Sequence, residues 1–188
     1  MLSLPEIETI FARAGGRQYS GEPVTQLQHA LQTAHLAEQS GADDALVTAC
    51  LLHDLGHLLA DHADTPTLRS IDDTHQYAAL PFLRGLFPDA VLDAIKLHVD
   101  AKRYLCRANP GYHAKLSQDS VRSLALQGGV FDADEAAAFL ARLGAHAAVM
   151  LRQWDDSSKQ ADFATPPLAH FLDRARRCEL PRAHMPVT

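Results

Sequence analysis

Residues 45–60 read ALVTACLLHDLGHLLA, an apolar run interrupted by His53, Asp54 and His57. Its apolar positions go almost all the way round a helix, so the run predicts the central helix of an interior. Three ionisable side chains in such a place are expensive to desolvate, several kcal/mol each if left alone. Hydrogen bonds, opposite charge or a metal must therefore accompany them.

The rest of the chain supplies an interior for that helix to occupy. Ser3 with Glu6 makes a capping box for a helix over 3–14, which Gly15 and Gly16 end. Apolar spacing at Val24, Leu27, Leu31 and Ala34 predicts a helix over 24–39 stopped by Gly41, and Asp43 or Asp44 starts the central helix over 44–60. Polar residues with Pro66 mark a loop over 61–72. Further helices are predicted over 74–85, over 88–104 up to the NPG turn at 109–111, and over 117–126 up to Gly128 and Gly129. Asp132 with Glu135 caps 132–143, and stretches 145–155 and 166–178 complete the count. No alternating β-branched run competes, so the expected fold is all-α with eight or nine helices. At 188 residues, one domain spanning 1–188 is expected.

Composition excludes several functions. A net charge of −6, with basic residues scattered rather than striped, leaves no electrostatic footprint for nucleic acid or an anionic membrane. The N-terminus lacks the basic start and apolar stretch of a signal peptide, and the run ALVTACLL is too short to span a bilayer, so a cytoplasmic protein is expected. Cys50, Cys106 and Cys178 form no CxxC pair and are expected to be reduced thiols.

His53 and His57 lie four residues apart on one helix face, with Asp54 about 100° round. They could be satisfied core histidines. HDLGH also has the H-x-x-x-H spacing of a zinc-protease helix, but Asp replaces the required Glu and a glycine precedes the second His. A third reading joins the adjacent His–Asp pair to an upstream His and a downstream Asp around a metal. His29 and Asp155 satisfy it, and His75 and His98 lie on predicted helices with apolar neighbours. Four imidazoles and two carboxylates are too many for one ion with open positions; they suit two metals bridged by Asp54. Without thiolates, the set favours iron or manganese over structural zinc. Lys102 is one turn past His98, and Arg152 is three residues before Asp155. Both cations would project from the metal-binding face, a local anion trap in an acidic chain. Arg103 and Arg107 read as surface cations, Trp154 as a core anchor, and Val91, Leu92, Ile95 and Val99 as core packing.

Taken together, YSGEPVTQLQHALQTAHLAEQSGADD (19–44), LLHDLGH (51–57), His75, LHVDAKRYL (97–105), LSQDS (116–120), LQGG (126–129) and RQWDDSSKQAD (152–162) resemble the HD-domain superfamily. Specifically, they resemble its mixed-valent diiron oxygenase branch, the PhnZ-like enzymes that cleave phosphonates. The likeness runs from about residue 19 to about residue 170. It implies a helical HD bundle in which His29, His53, Asp54, His75, His98 and Asp155 ligate two irons, Fe(II) and Fe(III), with O2 as co-substrate. It implies that His57, Lys102, Ser120, Gln127 and Arg152 hold a small phosphonate. Tyr19 and Glu22 match a segment that closes over the substrate, the tyrosine taking an iron site when substrate is absent and the glutamate meeting an ammonium group. An HD phosphohydrolase would need only His29, His53, Asp54 and Asp155, and a non-catalytic HD module would need none of them.

Overall fold

The computed structural model describes residues 1–19, 21–59 and 74–181. Among these, eleven α-helical segments run in the order α1 (Leu4–Ala14), α2 (Gln26–Gln39), α3 (Asp44–Leu52), α4 (Leu55–Leu59), α5 (His75–Ala78), α6 (Leu80–Leu83), α7 (Asp89–Ala108), α8 (Gln118–Leu126), α9 (Ala133–Leu140), α10 (Ala145–Ser157) and α11 (Leu168–Arg177). The only extended pairings among the described residues are two isolated bridges, one joining Gln18 to Thr25. The all-α expectation holds. The predicted loop over 61–72 lies outside the described residues.

Several helices start where the sequence says they should. Glu6 accepts from the Ser3 backbone N–H at 2.8 Å, and Asp132 and Glu135 each accept from the other's N–H at 2.8 Å. Thr25 and Gln28 form a third such pair, which is why α2 begins at Gln26 rather than at residue 24. Helix α7 runs a full turn beyond the predicted end, to Ala108, and stops before Asn109–Pro110 because the residue preceding proline is pushed out of the helical region.

Two predicted helices are each broken in two, which accounts for the larger number of segments. The central helix is interrupted at His53–Asp54. There the Cys50 carbonyl faces the His53 ring Nδ1 at 2.8 Å, and the His57 N–H reaches back only three residues, to Asp54. The regular ladder is thus replaced by a tighter turn. The helix predicted over 74–85 breaks at Ala79, and Pro81, which has no N–H to donate, sits in the first turn of α6.

Helix α3 packs against α2, α7, α10 and α11, which places its C-terminal end amid the bundle. Leu51, Leu52, Leu55, Val91, Ile95, Leu151 and Phe171 form the buried core around it, together with Ile7, Phe11 and Phe87. Each large side chain fully withdrawn from water contributes about 1.5–3 kcal/mol. Val91, Leu92, Ile95 and Val99 are buried as expected, and Trp154 packs on the core from its edge. Cys50 and Cys106 are buried free thiols, and Cys178 is a half-buried one. No helix among the described residues is long and apolar enough to cross a membrane.

Candidate metal centre and anion site

The bundle brings His29 of α2, the His53–Asp54 turn, His75 at the start of α5, His98 of α7 and Asp155 of α10 to one point. Asp54 divides them. Its Oδ2 lies 3.4 Å from His53 Nε2 and 3.7 Å from His29 Nε2, and its Oδ1 lies 3.3 Å from His75 Nε2 and 3.8 Å from His98 Nε2. Asp155 Oδ1 completes the first group, 3.3 Å from His29 Nε2 and 4.0 Å from His53 Nε2. Two ligand clusters result, His29–His53–Asp54 and Asp54–His75–His98, joined through a single carboxylate.

The donor chemistry fits a cation in each cluster. The Nδ1 atoms of His29, His53 and His98 face the backbone oxygens of Ser158, Cys50 and Ile95 at 2.8, 2.8 and 2.7 Å. A carbonyl only accepts, so each Nδ1 carries a proton and each Nε2 is the lone-pair end. Yet the Nε2 atoms of His29 and His53 stand 3.2 Å apart, and those of His75 and His98 stand 3.0 Å apart. Lone pairs converging this closely require a positive charge between them. Asp54 Oδ2 and Asp155 Oδ1, both facing this first group, are buried without a hydrogen-bond partner, a cost that a metal ion relieves.

Electrostatics point the same way. Burial opposes ionisation of Asp54, but His53, His57 and His75 outweigh it and hold the carboxyl well below the usual range. Asp155 is likewise held low against burial, chiefly by Arg152. Burial and the neighbouring His75 push His98 well down, leaving a neutral imidazole able to donate its lone pair. Burial alone would also lower His53, but Asp54 raises it to about 9, so the surroundings of this imidazole favour positive charge beside it.

The cations expected beside the cluster are there. Lys102 is buried and its Nζ donates to Ser123 Oγ at 2.6 Å. Burial, then Arg152, lower its ammonium to about 7. Arg152 is buried as well; its Nη1 pairs with Asp155 Oδ2 at 2.8 Å and its Nη2 lies 3.3 Å from Ser120 Oγ. Arg152 therefore touches Asp155, beside the first cluster, and Ser120 together. Gln127 closes α8, and its buried Oε1 has no hydrogen-bond partner among the described residues. His57 Nε2 lies 3.9 Å from Asp54 Oδ1 and its ring stacks on His75 at 4.2 Å, beside the second cluster rather than within it.

Tyr19 and Glu22 share a short turn before α2, where the Glu22 N–H donates to the Tyr19 carbonyl at 2.7 Å. The Tyr19 ring stacks on His29 with centroids 3.9 Å apart, and burial together with Asp54 and Asp155 raises its hydroxyl well above the ordinary value. Glu22 faces Lys159 at 3.9 Å, so the carboxylate expected to meet a substrate cation already meets one from the chain.

Some readings change. Arg103 is not a free surface cation: it grips the Gly129 and Gly128 carbonyls at 2.8 and 3.1 Å and lies over the Phe131 ring. The missing side chain of Gly56, by contrast, has the expected use, a close approach of backbone, since an added Cβ would lie 2.2 Å from the His75 carbonyl oxygen. Ser123, Tyr112, Asp156 and Lys159 belong to the site's surroundings and were not singled out from sequence. Ser123 is three residues from Ser120 and Asp156 four from Arg152, helical spacings that could have found them. Tyr112 lies in a loop with no such signal.

The HD-domain family model matches residues 27–138, which contain five of the six residues expected to ligate metal. The chain belongs to the HD-domain family. It is 40 % identical over 172 residues to [1-hydroxy-2-(trimethylamino)ethyl]phosphonate dioxygenase (glycine-betaine-forming) of Leisingera caerulea, covering 89 % of this chain and 86 % of that one. It is 42 % identical over 164 residues to hydroxymethylphosphonate dioxygenase of Gimesia maris, covering 87 % and 82 %. An uncharacterized protein of Acanthamoeba polyphaga mimivirus is 33 % identical over 168 residues, covering 88 % and 76 %. Within the HD-domain family, the chain thus groups with phosphonate dioxygenases.

Proposed function

We propose that the protein is an iron- and O2-dependent oxygenase that cleaves the carbon–phosphorus bond of a small 1-hydroxyphosphonate. In the net reaction the phosphonate and O2 become a carboxylate, inorganic phosphate and a proton. The observation that carries this reading is the division of one buried carboxylate, Asp54, between two imidazole clusters, with buried Lys102 and Arg152 alongside. Four imidazoles with Asp54 and Asp155 suit two irons, in mixed Fe(II)/Fe(III) states. When bound, these metals supply the activation of O2 and the electron transfer.

The chain's own residues orient the substrate and neutralise charge. Arg152 and Lys102, with Ser120, suit the phosphonate dianion by number and type of donor, and His57 and Gln127 complete its surroundings. Tyr19 stacks on His29, so a ligand approaching His29 from that side would need the tyrosine to move aside. Glu22, on the same turn, would travel with it toward the far end of the substrate. One relative's name specifies a trimethylammonium at that end and the other's specifies only a hydroxymethyl group. A carboxylate at this place favours an amine or its N-methylated analogue, such as 2-amino-1-hydroxyethylphosphonate, whose carboxylate product is glycine.

The test incubates iron-loaded protein with 1-hydroxyphosphonates bearing no amine, a primary amine or a trimethylammonium group, measuring O2 uptake and phosphate release together. Equal uptake and release are expected. Phosphate release from these compounds or from phosphate esters that continues without O2 would overturn the reading in favour of an HD phosphohydrolase.

A further inference from the structure

Arg152 is held by more than its metal-cluster neighbour. Asp156, one turn further along α10, takes the Nε–Nη2 edge of the guanidinium: Nε donates to Asp156 Oδ2 at 3.2 Å and Nη2 donates to Asp156 Oδ1. Tyr112, from the loop between α7 and α8, donates its hydroxyl to the same Asp156 Oδ2 and lies 3.3 Å from Arg152 Nε. Asp155 takes one Nη1 hydrogen at 2.8 Å. A guanidinium has five N–H donors in a fixed plane, so the Asp156 edge determines where the remaining ones point. Of the three that Asp156 leaves, one on Nη1 goes to Asp155 and one on Nη2 faces Ser120 Oγ, so a single Nη1 hydrogen remains for a ligand.

We infer that Tyr112 and Asp156 are positioning residues, a pair that fixes the plane of the Arg152 guanidinium so that its Nη1–Nη2 end, with Ser120 beside it, faces a tetrahedral dianion. The inference rests on the phosphonate reading for the identity of that anion. Neither residue belongs to the two ligand clusters, and both act through Arg152. The outer side of the pair lines a surface cavity of about 330 Å³ with Leu105, Asn109 and Lys115. Substitution there borders open space rather than packed core.

Charge and orientation make opposite predictions for Asp156. As a carboxylate beside an anion site, it should repel the ligand, and removing its charge should tighten binding. As the anchor of Arg152, it should strengthen binding, and removing it should weaken it. Tyr112 separates the two effects, because Tyr112→Phe deletes one hydroxyl and leaves every charge in place.

The measurement is calorimetric binding of methylphosphonate, which lacks the hydroxyl needed for turnover, to the metal-loaded protein, with metal content and melting temperature recorded for each variant. Losing one hydrogen bond in the grip should raise Kd about three- to tenfold in Tyr112→Phe. Asp156→Asn should weaken binding by at least as much, and the double variant should be no worse than Asp156→Asn, since the two residues act as a unit. In an Arg152→Lys background, where there is no plane to fix, Tyr112→Phe should have no further effect. Unchanged binding in Tyr112→Phe, or tighter binding in Asp156→Asn, overturns the inference. So does a wild-type protein that does not bind methylphosphonate. Wild-type binding that the variants weaken, without any phosphate release from hydroxyphosphonates, supports the positioning pair and defeats the proposed reaction instead.

Discussion

Replacing Gly56 by alanine should remove one metal and spare the other. An added Cβ would lie 2.2 Å from the His75 carbonyl oxygen, 2.9 Å from its carbon and 3.0 Å from its Cα, and contacts under 3.0 Å are essentially never seen. The backbones of residue 56 and His75 must therefore part by about 0.8 Å or more, which displaces His75 relative to the Asp54 turn. Metal–ligand distances tolerate only about 0.2 Å. The His75 imidazole belongs to the Asp54–His75–His98 cluster alone, so the loss falls there. In stability the two consequences oppose each other: overpacking costs about 1–3 kcal/mol, and alanine regains about 1 kcal/mol of helix propensity over glycine. A folded protein with a modestly lower midpoint in urea is expected. Elemental analysis after iron loading should find about one metal per chain in Gly56→Ala and two in the parent. Gly16→Ala, where nothing lies within 4 Å of the added carbon, serves as the control and should keep both. Two metals bound to Gly56→Ala as tightly as to the parent would refute the packing argument.

Other perturbations separate the site's parts. Asp54→Ala should reduce binding of both metals, since each cluster loses an oxygen; retention of two irons with full turnover would show that Asp54 is no bridge. Lys102→Ala should raise KM while metal content persists. Arg152→Ala should raise KM and also lower metal retention in elemental analysis, because Asp155 loses its partner at 2.8 Å. The Lys102 ammonium, lowered to about 7, is lost from the free enzyme as pH rises, so kcat/KM should decline above about pH 7. That limb should be absent from the Lys102→Met pH profile, and its persistence there would assign the titration to another group.

The sequence was most legible where a local rule had a local cause. Capping pairs at Ser3 and Asp132 set helix starts because a side chain three residues away satisfies the exposed N–H groups. His53 and Asp54 stood out as polar residues within an apolar stretch, where burial demands a partner or a metal, whereas His29 in QLQHALQ and Asp155 in RQWDDS sit among polar neighbours and were reached only through the His–Asp pattern that the pair suggested. Arg103 misled because its stem and plane are used by a turn 25 residues away, which helical spacing cannot report. Tyr112 was invisible for the same reason, reaching Arg152 across 40 residues from an irregular loop.

The motif LLHDLGH shows where periodicity stops carrying information. A helix sets the His53 and Asp54 side chains about 100° apart, and His53 keeps helical angles (φ −58°, ψ −35°), so Asp54 reaches the shared cluster by the way its side chain turns. The His53 ring faces the Cys50 carbonyl, and α3 gives way to α4 directly after it, so ligand orientation and helix interruption fall at one place. Periodicity reads only which face is apolar, and here all faces are, so the interruption leaves no trace in the pattern. Gly56 is the nearest thing to a sign of it. A glycine in a buried helix costs stability and is retained where something must come close, and what comes close is the backbone of His75, a residue of the second cluster. His53, Asp54 and Gly56 thus act on one ligand shell each or on both: His53 on the first, Gly56 through His75 on the second, and Asp54 on the two together.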